Sequence, residues 1–143
     1  MMKLFSIGYG NRKPAEFLEL LKANGIKAVI DVRKKDSKGW CWEYTTKRLP
    51  IELEKLGIKY DNLYLLSNKF VQYSLDDSLR LYKNWLLGTN EADDILEDIK
   101  FNIEHYYENN VAIMCACLKS DKCHRKFIVD ELAKRLKVSI IDL

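Results

Sequence analysis

Three of the four cysteines, Cys115, Cys117 and Cys123, fall within nine residues, and His124 and Arg125 follow directly. The thiolate is the nucleophile among cysteine species, and a helix N-terminus flanked by cations favours it. Cys123, beside Lys122, Arg125 and Lys126 at the opening of a helix, therefore reads as a nucleophile or a resolving thiol. Cys115, at a strand end, is either a second reactive thiol or a small buried apolar residue. His124 offers a base or a helix cap, and on a regular helix its ring points away from the neighbouring Cys123. The same four residues, Cys115, Cys117, Cys123 and His124, are also the donor set of a structural zinc site, although Cys-x-Cys and an adjacent Cys-His depart from the usual knuckle spacing. No other cofactor is expected. His105 reads as a solvated helix residue.

Two further segments carry charge or tight turns. Gly8-Tyr9-Gly10-Asn11-Arg12 follows an apolar strand, but Lys13 stands where a dinucleotide fingerprint needs its third glycine. What remains is either an anion cradle at the helix opened by Pro14 or a plain strand-to-helix turn. Asp31-Val32-Arg33 ends a second strand; the period of two puts Asp31 and Arg33 on one side, free to pair with each other or with Arg12 or Arg125. The expected anion site is thus Arg12, Arg33 and Arg125 with Asn11, with Asp31 orienting an arginine and Cys123 or Cys115 attacking.

The net charge is +3, too small to mark a nucleic-acid binder by itself, yet residues 33 to 48 carry +4 and residues 119 to 126 carry +3. Trp40, Trp42 and Tyr44 alternate within the first of these. Lys34, Lys35 and Lys38 with Trp40 and Trp42 therefore form an alternative surface for single-stranded nucleic acid, unless the aromatics pack over their own domain.

The elements that must position these residues alternate along the chain. Strands are expected at Lys3–Ile7, Lys27–Val32, Ile58–Leu63, Val111–Cys115 and Val138–Leu143. Helices are expected from Pro14 to Gly25, after Pro50 to Leu56, from Ser74 to Gly88, from Glu91 to Tyr107 with Ile95, Ile99, Ile103 and Tyr106 buried, and after an Asp121 cap with Ile128, Leu132 and Leu136 inward. With 143 residues, 48% of them hydrophobic, and no repeat or linker, one domain over residues 1–143 is the economical reading. The predicted fold class is α/β: about five mainly parallel strands with helices on both faces, Rossmann-like, with a rhodanese-like arrangement as a variant. In such sheets ligands bind beyond the carboxyl ends of the strands, where all three segments fall.

Taken together, Ser6-Ile7-Gly8-Tyr9-Gly10-Asn11-Arg12, Glu16-Phe17-Leu18, Val29-Ile30-Asp31-Val32-Arg33, Gly57-Ile58-Lys59-Tyr60 and Cys115 with Cys123-His124-Arg125 resemble the domain of unknown function family 488. The resemblance implies a compact α/β fold and a site built from the same three loops. It departs at Cys117, where the family often has an acidic residue, at Pro50, and in the Lys34–Trp42 stretch, which lacks the family's proline and further arginines. The Asp-Val-Arg strand end is also similar to that of rhodaneses, and a cysteine strand followed by an Arg-bearing helix is similar to rhodaneses and Cys-dependent phosphatases. The loop differs, with seven residues between Cys117 and Arg125.

No apolar run spans a bilayer and the opening Met1–Gly8 is short for a secretory signal, so no membrane partner and a cytoplasmic, reducing location are expected. The expected partner is an anionic small molecule, acted on by a Cys-dependent transferase or hydrolase if the protein is an enzyme.

Overall fold

In the computed structural model, which describes residues 3–107 and 110–143, one sheet holds five strands: β1 (Leu4–Gly8), β2 (Ala28–Asp31), β3 (Lys59–Asn62), β4 (Val111–Cys115) and β5 (Ile140–Asp142). Their order is β3-β2-β4-β1-β5 and every neighbouring pair is parallel. Met1 and Met2 of the short apolar start lie outside the described residues. The wholly buried β1, β2 and β4 are the near-continuous apolar runs that a sheet covered on both faces requires. The edge strands β3 and β5 are shorter than expected and half exposed.

Side-chain alternation divides the core in two. Phe5, Ile7, Val29, Ala112 and Met114 pack with α1 (Pro14–Ala23) and α2 (Leu49–Glu54). Leu4, Ile30, Val111, Ile113 and Cys115 pack on the opposite face with α3 (Leu75–Gly88), α4 (Asn90–His105) and α5 (Arg125–Leu136). Helices therefore cover both faces, and no described helix is long and apolar enough to cross a membrane.

Local chemistry sets most helix ends. Pro14 opens α1, Phe17 and Leu21 bury its inner face, and Gly25 turns the chain at φ 66°. The Ser74 hydroxyl accepts from the Asp77 amide to cap α3, and Thr89 caps α4 through the Ala92 amide.

Three expectations are corrected. Helix α2 begins at Leu49, so Pro50 lies inside its first turn; an amide there has no intrahelical acceptor, and proline loses nothing. The buried stripe of α4 is Ala92, Leu96, Ile99 and Ile103, a register that leaves Ile95 half-buried and Tyr106 past the helix end and exposed. Asp121 does not cap α5. Ser120–Lys122 form a single 3-10 turn, Cys123 is extended at φ −137°, and the helix starts only at Arg125. That delay drives Cys123 and Arg125 into the core.

Candidate functional site

Strand β4 lies between β1 and β2, so the segments leaving these three strands meet. Gly8 is in register with Cys115, and Asp31 with Met114. The turn after β1 is tied to the cysteine segment by its backbone: the Tyr9 amide donates to the Cys115 carbonyl and the Gly10 amide to that of Ala116. The Tyr9 and Gly10 amides are thus engaged in holding the turn to the cysteine segment. Both glycines are required. A Cβ on Gly8 would collide with the Cys117 carbonyl and the Arg125 guanidinium, while Gly10 has φ 48° and lies under the Leu118 side chain.

Arg125 is the largest fully buried side chain. Its Nε donates to Ser6 Oγ at 2.8 Å, and its Nη1 to the Cys117 carbonyl at 2.8 Å and to Cys115 Sγ at 3.3 Å. Nη2 has no partner, and among the described residues no carboxylate pairs with this guanidinium. Ser6 can reach it because strand alternation turns the one polar side chain of β1 toward α5.

The sulfurs of Cys115, Cys117 and Cys123 lie within 4.8 Å of one another, with 2.7 Å between those of Cys115 and Cys123. All four cysteines are free thiols. Proton sharing orders the cluster. The neighbouring Cys115 and Cys123 sulfurs hold the Cys117 pKa far below the usual thiol range, helped by the Arg125 guanidinium. Cys115 is pushed up chiefly by its bond to Cys117, and Cys123 is pushed up by its bonds to both other sulfurs and by burial. Cys117, the exposed member of the three, is thus the sulfur whose ionisation the cluster favours.

His124 does not point away from Cys123. Because it precedes the helix instead of lying within it, its Nδ1 stands 3.6 Å from Cys123 Sγ while Nε2 stands 3.1 Å from the Val32 carbonyl. The carbonyl requires the proton on Nε2, so Nδ1 presents a lone pair to Cys123. Burial lowers the pKa of the ring and keeps it neutral.

Asp31 and Arg33 pair with each other. The Asp31 carboxylate accepts from Arg33 Nε and Nη2, from the Arg33 amide and from the Tyr60 hydroxyl, and Arg33 Nη1 donates to the Tyr44 carbonyl at 2.6 Å. Both side chains are buried, Arg33 is held charged and the Tyr60 phenol is pushed up. Arg12 donates to the Gly8 carbonyl and lines, with Asn11, Asp121 and Asp142, a separate cavity of 480 Å³. The structure therefore brings Arg125 to the cysteines but not Arg12 and Asn11, and it matches Arg33 with its own carboxylate.

The cysteines and His124 open into a cavity of 620 Å³. Lys34, Lys38, Lys122 and Arg33 line it, and among the described residues no aspartate or glutamate does. Val71, Tyr73 and Leu75 complete another part of its wall. A smaller cavity of 420 Å³ shares Ser37, Lys38 and Gly39 with it and carries Trp40 and Trp42. Of the alternating aromatics, Tyr44 is core and stacks on Tyr9, whereas Trp40 and Trp42 are exposed. Trp42 lies under the Arg48 guanidinium and Trp40 meets Tyr44 edge-on. Lys35 turns to the Tyr64 ring and does not line the larger cavity.

Cys115, Cys117 and Cys123, with His124 Nδ1 nearby, are the residues able to hold a thiophilic ion. The Cys115 and Cys123 sulfurs stand closer than the roughly 3.7 Å between two thiolates on one tetrahedral zinc, so an ion would have to spread them. Ser6, Lys122 and the Val71–Leu75 wall were not singled out from sequence as site residues. Ser6 left a signal as a polar residue in an otherwise apolar strand, and Lys122 as part of the basic 119–126 stretch.

A family model described as Domain of unknown function DUF488 matches residues 13–132, a span that takes in Asp31, Arg33 and the Cys115–Arg125 segment. No curated protein and no solved structure matches the chain.

Proposed function

The chain belongs to the DUF488 family, whose description names no activity, and we propose from its site alone that it performs thiolate chemistry on an anionic small molecule, as a Cys-dependent transferase or hydrolase. The observation that carries this reading is the fully buried Arg125, which has thiols and no carboxylate beside it. A guanidinium out of water needs a counter-charge, and an ionised sulfur in the cluster supplies one. Lys34, Lys38 and Lys122 in an acid-free cavity draw an anion to the same place.

In this reading the Cys117 sulfur attacks the electrophilic centre of the bound anion. The leaving group departs with the electron pair of the broken bond, and an acceptor nucleophile or water then displaces Cys117 and restores the thiolate. Cys115 and Cys123 hold Cys117 ionised, and His124, anchored on the Val32 carbonyl, stands against Cys123. Arg33 and Asp31 position the cavity wall.

Alkylation of each cysteine, followed by mass spectrometry at pH 6, tests the reading. Cys117 should react first, and its ratio of iodoacetate to iodoacetamide rates should exceed the urea-denatured chain's several-fold. Equal ratios in the folded and denatured chains would remove the anion site. Stoichiometric zinc that blocks alkylation until a chelator is added would replace thiolate chemistry with a metal centre.

The exposure of Trp40 and Trp42 favours a second reading, a face for single-stranded nucleic acid. Oligonucleotide binding that falls steeply with salt and is lost in Trp40→Ala/Trp42→Ala would support it; salt-independent or absent binding would remove it.

A further inference from the structure

Resting on the anion reading above, we infer that the substrate is amphipathic: an anionic head group joined to an alkyl or aryl body that lies against Val71, Tyr73 and Leu75. The segment carrying that wall is held from behind. Asn68 Nδ2 donates to Ser78 Oγ at 2.8 Å, the Phe70 amide donates to Asn68 Oδ1, the Tyr73 amide donates to the Phe70 carbonyl, and the Phe70 ring packs on the core. With Asn68 bonded to Ser78 and the half-buried Phe70 packed on the core, the segment leaves Val71 75%, Tyr73 50% and Leu75 54% exposed, all three lining the cavity.

Each part of the lining excludes a simpler ligand. A free inorganic anion would contact only the cationic part and leave the apolar wall in water. A neutral apolar ligand would leave Lys34, Lys38 and Lys122 without an anion in a cavity that has no acid. The volume of 620 Å³ is in the range of pockets that enclose organic ligands, well beyond a lone phosphate. Cys117 lies in the same lining as the lysines, so a ligand held there covers its sulfur.

Titration calorimetry of inorganic, ethyl, butyl, hexyl and octyl phosphate into the full chain tests this, with protection of Cys117 from iodoacetamide followed in parallel. Affinity should rise by about two- to fourfold per methylene, as burial of each group predicts. The double substitution Val71→Ser/Leu75→Ser, at exposed positions where folding is little affected, should flatten that slope while leaving inorganic phosphate unchanged. Alkyl phosphates that bind no better than inorganic phosphate would overturn the amphipathic substrate and leave the anion reading standing. Alcohols of the same chain length that bind as tightly as the phosphates would overturn it as well, because the head group would then count for nothing. Chain-length-dependent binding that leaves Cys117 unprotected would place the ligand elsewhere. If no phosphate binds and none protects Cys117, the anion reading fails together with this one.

Discussion

The molecule buries two arginines, and their surroundings differ. Arg33 is neutralised within its own tripeptide by Asp31, and its remaining donors reach the Tyr44 carbonyl and the Tyr9 hydroxyl. Arg125 is buried more completely, has no carboxylate partner among the described residues, keeps one nitrogen unpaired and faces three thiols. A cation matched by a fixed carboxylate is a structural device, since its charge is satisfied before any ligand arrives. A cation matched only by groups that can gain or lose a proton ties their ionisation to its own burial. The contrast separates the part of this sheet end whose charge is fixed from the part whose charge depends on the ionisation of its neighbours.

The largest expected effect breaks the first pair. Asp31→Asn leaves Arg33 buried without its counter-charge and should cost about 3 to 5 kcal/mol in urea denaturation, with most of that recovered in Asp31→Leu/Arg33→Met. A loss below 1 kcal/mol would mean that the two arginines are alike. The complementary change, Arg125→Met, should lower stability by less than Asp31→Asn. It should also move the pH profile of Cys117 alkylation to higher pH, by about one pH unit for each unit its pKa rises. Unchanged alkylation would dissociate Arg125 from the thiolate.

An intermediate effect concerns pH. Cys115 and Cys123 have raised pKa values when folded, so the unfolded chain releases their protons first. Stability should therefore fall as pH rises past about 8.5, by about 1.4 kcal/mol per pH unit for each thiol. Cys117 has the opposite sign: its contribution is full above the ordinary thiol range and declines steadily as pH falls from there to its depressed folded value, where it is gone. Thermal melts from pH 7.5 to 9.5 should show the decline, and Cys115→Ala/Cys123→Ala should remove it. The smallest effect should come from Lys122→Ala, which slows iodoacetate at Cys117 by about two- to threefold and leaves iodoacetamide unchanged, the size expected of one exposed charge.

How much of this was legible depended on whether local pattern or tertiary environment decides each residue. The run Val111–Cys115 is apolar throughout, so a buried strand with its exact limits could be read from composition. The meeting of Gly8, Asp31 and Cys115 followed from three strand ends on one parallel sheet. The sequence marks Arg125 as an anion-holding cation together with Arg12 and Arg33; only the pairing of β1 with α5, brought together from opposite ends of the chain, supplies Ser6 to receive its buried guanidinium. The orientation of His124 was misjudged through Asp121, whose cap signal placed it within a helix that begins after it. The amide partners of the glycine turn lie on β4, more than a hundred residues away, and have no local signature.

Gly8 sits in a strand with ordinary backbone angles, and it is excluded from substitution by space alone: the Cys117 carbonyl and the Arg125 guanidinium occupy the volume of any Cβ. Every other amino acid brings that atom, so the position has no neutral neighbour in sequence space. In a saturation library scored for folded protein, Gly8 should appear as an empty column. Gly88, with open space around it and no left-handed backbone, should accept most residues. The site is thus guarded against mutational drift by a residue that has no side chain with which to take part in its chemistry.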